Sequence, residues 1–296
     1  MNAALLINLL IASFLSALLY VILKFFQVYR INNLQGLTFN YFTASALSFT
    51  GRFEHNLSIL DTSGDFLQYA LLIGALFILV FYCAALTAQH AGITVTSIAG
   101  KMSMIIPISV GILVFHDRVY PLRIAGMLIA MAAVLMSTFK GNSSGDEVQQ
   151  DRKLKLILPL LLFAGSGLVD TCIKLSEHYL ITEDNQELYI SFLFGSAAII
   201  GFMIMLYSWV KHHKKPGFRS VLAGILLGTT NYFSLVFLIK VLSSPGVESS
   251  LAFAMTNVMV VLISTVIAML VFKEKLNRMN MGGLALAIIS IVILSF

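Results

Sequence analysis

Apolar residues in this chain gather into ten runs, at positions 4–24, 34–51, 66–88, 93–115, 121–139, 154–176, 187–210, 219–241, 247–271 and 277–296. A helix needs about 20 apolar residues to cross the hydrocarbon of a bilayer, so the pattern predicts an all-α integral membrane protein with ten transmembrane helices. The second run, LQGLTFNYFTASALSFTG, is amphipathic and rich in hydroxyls, and is expected to face a cavity or other helices. Polar gaps are short, which makes neighbouring helices antiparallel. The longest, Lys140–Lys153 (KGNSSGDEVQQDRK), falls near the middle and reads as a linker. It divides the chain into a first five-helix half (1–141), a linker (142–153) and a second five-helix half (154–296).

The halves resemble each other. VFHDRVYPLRIAGMLIAMAAVLMS from Val114 matches VFKEKLNRMNMGGLALAIISIVIL from Val271 at an offset of 157, pairing Phe115 with Phe272, Asp117 with Glu274, Arg118 with Lys275 and Gly126 with Gly283. Nearer the start of each half the offset is 150, where SALLYVILK ending at Lys24 meets SGLVDTCIK ending at Lys174 and Phe42 meets Phe192. Five spans per half force the halves into opposite orientations, and inverted repeats are the common architecture of alternating-access transporters.

Composition sharpens the membrane reading. Hydrophobic residues make up 58% of the 296 positions and charged residues 11%, with a mean hydropathy of +0.91. A soluble domain carries roughly 25% charged residues. The net charge of +5 lies in the gaps between apolar runs, without an aromatic-interleaved basic face, so nucleic acid is excluded as a partner. Gaps after the odd-numbered spans hold 13 Lys and Arg against five after the even-numbered ones, with Lys101 inside a span. The bias places the odd gaps in the cytoplasm and both termini outside a cell (inner or plasma) membrane. Cys83 and Cys172 lie in apolar runs and read as small buried side chains. Residues 4–23 lack a basic leader and a cleavage pattern, and read as a retained first span.

The repeated segments resemble the drug/metabolite transporter superfamily, in its ten-helix EamA-like branch. The resemblance lies in Phe115-His116-Asp117-Arg118 followed by Gly126, in Phe272-Lys273-Glu274-Lys275 followed by Gly283, in a lysine closing the first helix of each half (Lys24 and Lys174), and in Pro107 of the fourth span. The chain departs from the family pattern at Ser264, where a second proline is usual, and at Asp117, where Glu is usual. The resemblance implies small-molecule transport, with spans 1–4 and 6–9 around a central cavity and spans 5 and 10 as a buttress.

Lys101 is the leading candidate for solute binding. It lies about 12 Å into its span at about 1.5 Å per residue, where a charge costs at least about 2.5 kcal/mol unless paired or hydrated. Thr96, Ser97 and Gly100 surround it and suit a polar wall, and the lysine would hold a carboxylate or phosphate. Asp170 and Lys174 share a helix face at i, i+4. Asp170, the one acid clearly inside a span, is the proton-coupling candidate, with a neutralising ion pair as the alternative. Lys24 and Lys174 either anchor helix ends, pair across the repeat or touch substrate. Tyr41, Asn231, Tyr232 and Asn257 complete the predicted substrate-binding set, although asparagines in spans commonly join helices. Asn40, Thr256 and Tyr20 are further polar positions, and Glu248 reads as a helix cap.

Gly224-x-x-x-Gly228, Gly126-x-x-x-Ala130 and Gly283-x-x-x-Ala287 predict close-packing faces. The last two suit either a buttress or a weak homodimer through spans 5 and 10. The run KHHKKPGFR (211–219) reads as an anchor at the lipid headgroups. No HExxH, GxSxG or nucleotide-binding motif occurs, so the chain reads as a non-enzyme without metal or cofactor, and ATP is not the driver. The expectation is a secondary transporter of a small polar or amphipathic metabolite, such as an amino acid or organic anion, coupled to a proton gradient or to facilitated flow. The rivals are a flippase of a lipid-linked substrate on the same scaffold and a membrane scaffold without transport.

Overall fold

The computed structural model describes residues 3–51, 64–114, 120–138, 149–179, 186–212, 217–242 and 249–294. Among them the regular structure is entirely helical: α1 (Ala3–Val28), α2 (Asn33–Gly51), α3 (Gly64–His90), α4 (Ile93–Met102), α5 (Ile105–Val114), α6 (Pro121–Thr138), α7 (Gln149–Tyr179), α8 (Gln186–His212), α9 (Phe218–Leu242), α10 (Ser249–Val271) and α11 (Arg278–Leu294). Six stretches are long and apolar enough to cross a membrane: Leu5–Val28, Gln68–His90, Ile93–Val114, Lys153–Ser176, Leu188–Lys211 and Phe218–Val241. Outward-facing side chains such as Leu113 (74% exposed) and Leu270 (75%) are apolar, whereas Ser13, Thr38, Asn40, Thr87 and Thr265 are buried. An apolar shell over a partly polar interior is the pattern a lipid solvent selects. The chain is an α-helical membrane protein.

The stretch predicted as one span at 93–115 is broken into α4 and α5. Pro107 supplies the reason: it has no N–H and its ring crowds the carbonyl four residues earlier, that of Ser103. That carbonyl accepts instead from the Ile106 N–H at 2.9 Å, and the Ser103 hydroxyl donates to the Gly100 carbonyl at 2.7 Å. Ser264, at the matching place in the second half, keeps its N–H, and α10 is continuous. The end of α1 is closed by Arg30 at φ 53°, with the Ile31 N–H donating to the Phe26 carbonyl at 2.8 Å, the left-handed cap that lets a helix stop sharply.

Two compact units make up the chain, and each takes helices from both sequence halves. One comprises Met1–Lys24, Cys83–Leu168 and Phe233–Phe296; the other comprises Phe25–Tyr82 and Val169–Tyr232. In the first unit α6 and α11 form the most extensive described helix pair, with α4 packed on α6 and α10. A Cβ at Gly126 would lie 2.9 Å from Leu294, and one at Gly283 would lie 2.7 Å from the Ser137 nitrogen, so the helices are antiparallel. These two contacts exchange under the 157-residue offset, and the fully buried Ala130 and Ala287 correspond in the same way. The small-residue faces of spans 5 and 10 therefore cover one another within a single chain.

In the second unit α2 and α8 are the extensive pair. A Cβ at Gly224 on α9 would meet Phe39 Cβ at 2.5 Å, the Gly36 carbonyl at 2.6 Å and the Asn40 nitrogen at 3.2 Å. A Cβ at Gly74 on α3 would meet Ser196 Cβ at 2.5 Å, the Leu193 carbonyl at 3.1 Å and the Ala197 nitrogen at 2.8 Å. The same three atoms recur, with α3 matched to α9 at an offset of 150 and α2 to α8 at 157. Under this offset Phe42 corresponds to Ile199, whereas the offset of 150 paired it with Phe192, and both Ile199 and Phe42 are exposed. Gly228 sits against the Asn40 carbonyl, completing the close-packing face predicted for α9.

Many interior hydroxyls are satisfied by their own helix. Thr38 donates to the Leu34 carbonyl, Thr87 to Cys83, Ser196 to Phe192 and Thr230 to Leu226, at 2.6–2.8 Å. Such bonds to the preceding turn remove the penalty of a buried hydroxyl without a partner on another helix.

Candidate functional site

The predicted site residues divide between the two units. Lys24, Thr96, Ser97, Lys101 and Asn257 lie in the first; Tyr41, Asp170, Lys174, Asn231 and Tyr232 lie in the second.

In the first unit the polar positions collect at the break between α4 and α5. Lys101 is half-buried two residues before Ser103. Gly100 brings its backbone beneath Tyr20 of α1, whose hydroxyl would stand 2.8 Å from a Cβ there. Met104 follows the break, and its sulfur accepts from the Asn257 amide of α10 at 3.6 Å. A phenol at Gly100 and an amide at Met104 therefore bracket backbone that a proline has released from regular helix, with Lys101 one residue after Gly100 in sequence. Irregular backbone at membrane depth survives only where protein or water covers it. Thr96 and Ser97 are fully buried, and their hydroxyls donate to the Gly92 carbonyl at 2.7 Å and the Thr94 carbonyl at 3.0 Å. Their donors are thus spent within α4.

In the second unit Tyr41 is 0% exposed, its hydroxyl donates to the Phe77 carbonyl at 2.8 Å, and its ring packs against Phe77, Phe81 and Phe194. This geometry makes it a core residue, enclosed from solute. Asn231 donates to the Asn40 side-chain oxygen at 3.4 Å, a bond joining α9 to α2, and Tyr232 beside it is half-buried. Asp170 is exposed and Lys174 half-buried, four residues apart on α7.

A second constellation, which periodicity did not reveal, lies in the first unit where α3 passes into α4. Gly92 adopts φ 101°, and the Glu274 carboxylate accepts from the Ile93 N–H at 2.9 Å, capping α4 from a position 181 residues away. A carboxylate at a helix N-terminus is favoured by the exposed N–H groups and the helix dipole. Lys24 donates to the Gln89 carbonyl at 2.8 Å, and Gln89 returns a bond to the Leu23 carbonyl at 3.3 Å, tying α1 to the end of α3. Asn280 of α11 donates to the Ser137 carbonyl at 2.6 Å. Between these groups lies a cavity of about 210 Å³, with Lys155 and Lys275 also on its wall. The sequence signal for it was the Phe272-Lys273-Glu274-Lys275 turn, which was read for its recurrence and not for what its carboxylate reaches.

Gly92→Ala is expected to cost about 1–3 kcal/mol, because φ 101° disfavours any Cβ and that Cβ would lie 2.9 Å from Glu274. Glu274→Ala removes the same contact at about 1–2 kcal/mol. The double variant should cost less than the sum of the two, since both act on one contact. Thermal unfolding of the detergent-solubilised protein measures this, and a fully additive result would show that the cap and the glycine act separately.

Turns bearing Phe115, His116, Asp117 and Arg118, together with Pro245, Gly246, Glu248, His55 and His213, lie outside the described residues, as do the side chains of His178 and His212. Among the described residues no group of three or more His, Cys, Asp or Glu side chains is placed to hold a metal ion.

No family model matches the chain. It is 26% identical over 298 residues to an uncharacterized protein of Haemophilus influenzae (strain ATCC 51907 / DSM 11121 / KW20 / Rd), covering 98% of this chain and 97% of that protein. Its fold is similar to that of a protein of known crystal structure at a TM-score of 0.62 and 12% identity, covering 96% of this chain and 95% of that one.

Proposed function

We propose that the chain is a secondary transporter of the EamA-like kind, built of ten spans in two inverted five-helix repeats, moving a small polar or amphipathic metabolite by alternating access. The observation that carries this reading is Lys101, a half-buried lysine in an apolar stretch beside a helix broken by Pro107. Discontinuous helices whose released backbone faces a substrate are the recurring site design of such transporters. The matched contacts of Gly74 with Gly224, and of Gly126 with Gly283, support the repeat, because an inverted pair relates each helix packing to its mirror-placed counterpart.

An amino acid or related organic anion fits the charge of Lys101, with the Tyr20 hydroxyl at the adjacent Gly100 and the Asn257 amide at Met104. Uptake and efflux in vesicles reconstituted with the purified protein test the proposal, using a broad panel of metabolites with and without a pH gradient. Movement of an anionic or zwitterionic solute is expected. Failure across the panel would favour a membrane scaffold.

Asp170 carries the coupling in this reading: a carboxyl group within a span can take up or release a proton as access to water changes. Asp170→Asn is expected to leave transport independent of the pH gradient, read as equal initial rates with and without it. An unchanged gradient response in the variant would assign the proton to another group.

A further inference from the structure

The cavity beside Gly92 has a chemistry that solute transport at Lys101 does not use. Among the described residues its wall is formed in part by Lys24, Lys155, Lys275 and His90, with one acid, Glu274. Leaving His90 aside, the lysines and Glu274 of the described wall carry a formal charge of +2. Glu274 directs one oxygen to the Ile93 N–H, so part of its charge is already met by the helix terminus. The wall also includes Thr94, which is only 1% exposed and whose hydroxyl has no hydrogen-bond partner. A buried hydroxyl left unbonded costs about 1–3 kcal/mol, and a ligand oxygen in the cavity, met by rotation of the Thr94 side chain, would remove that cost. The first turn of α4, to which Thr94 belongs, adds a field that favours anions.

We propose that this cavity is a binding site for a phosphate monoester. Such a group carries about −1.5 to −2 charge at neutral pH with three strong acceptor oxygens. That charge balances the wall, and the oxygens can accept from several ammonium groups and from the Thr94 hydroxyl together. A carboxylate brings half the charge and leaves the wall positive. Both a lipid headgroup such as phosphatidic acid and a phosphate-bearing solute supply this chemistry.

The test is thermal unfolding of the full-length protein in uncharged detergent, titrated with inorganic phosphate against chloride at matched ionic strength. In parallel, nanodiscs of phosphatidylcholine are compared with and without phosphatidic acid. Saturable protection by phosphate is expected in the wild type, with half-saturation shifted about ten-fold upward in the Lys155→Gln, Lys275→Gln double variant and upward also in Thr94→Val. Protection by phosphatidic acid but not by free phosphate would assign the site to a lipid headgroup; the reverse would assign it to a solute. The proposal is overturned if neither protects the wild type beyond matched chloride, or if the folded double variant is protected as well as the wild type. Should the double variant fail to fold, the wild-type titration and Thr94→Val still decide. Because binding and not solute movement is read, the outcome is independent of whether the chain transports.

Discussion

Gly224→Val is expected to abolish the yield of folded, monodisperse protein in detergent, and Gly74→Val to do so to the same degree. At both positions the Cβ would fall on atoms that cannot move aside: a neighbouring Cβ at 2.5 Å and, within about 3 Å, the carbonyl oxygen and nitrogen of another helix backbone. Overpacking a core costs typically 1–3 kcal/mol when side chains can yield. Here whole helices must part, α9 from α2 in one case and α3 from α8 in the other. Close approach at small residues is the main attraction between helices once lipid removes the hydrophobic drive, so parting them forfeits most of what holds the pair. Gly282→Ala is the control, since its Cβ meets only the terminal methyl of Met136, which can swing away. Size-exclusion profiles and melting curves would report all three. A near-normal Gly74→Val beside a collapsed Gly224→Val would show that the two corners are not equivalent, and the inverted-repeat reading would lose its geometric support.

On the proposed function, Lys101→Ala is expected to reduce solute movement at least ten-fold in reconstituted vesicles while the protein inserts normally. Removing the charge lowers the cost of insertion by about 2.5 kcal/mol, so impaired delivery to the membrane is not a consequence of the substitution. A charge-assisted bond to a carboxylate contributes roughly twice a neutral hydrogen bond, enough for a ten-fold loss, which corresponds to about 1.4 kcal/mol. Lys101→Arg keeps the charge with a different shape, and partial activity is expected. Full transport by the alanine variant would exclude Lys101 from the solute path.

Features governed by neighbours in sequence were legible before the structure. Helix positions follow from the apolar runs, and the close-packing face at Gly224 and Gly228 follows from the spacing of two residues. Where reading failed, the deciding partner was remote. Tyr41 has the residue type of a solute contact, but three phenylalanines from two other helices enclose it. The Gly126 and Gly283 faces left a buttress and a dimer both open, because sequence cannot distinguish a partner in another molecule from one in the same chain. Pro107 was visible, yet a proline alone does not tell a kink from a full break; the rerouted Ser103 carbonyl does. The Glu274 cap joins residues in different halves, and no periodicity links them.

The interior hydroxyls that bond to their own preceding turn have a mechanical consequence. Each such hydroxyl travels with its own helix, so a small slide or roll past a neighbour does not strand it. Resistance to shear then falls to glycines seated against backbone and to cross-links such as Asn231 with Asn40 and Tyr41 with the Phe77 carbonyl. An interior lubricated in this way can be polar without being rigid.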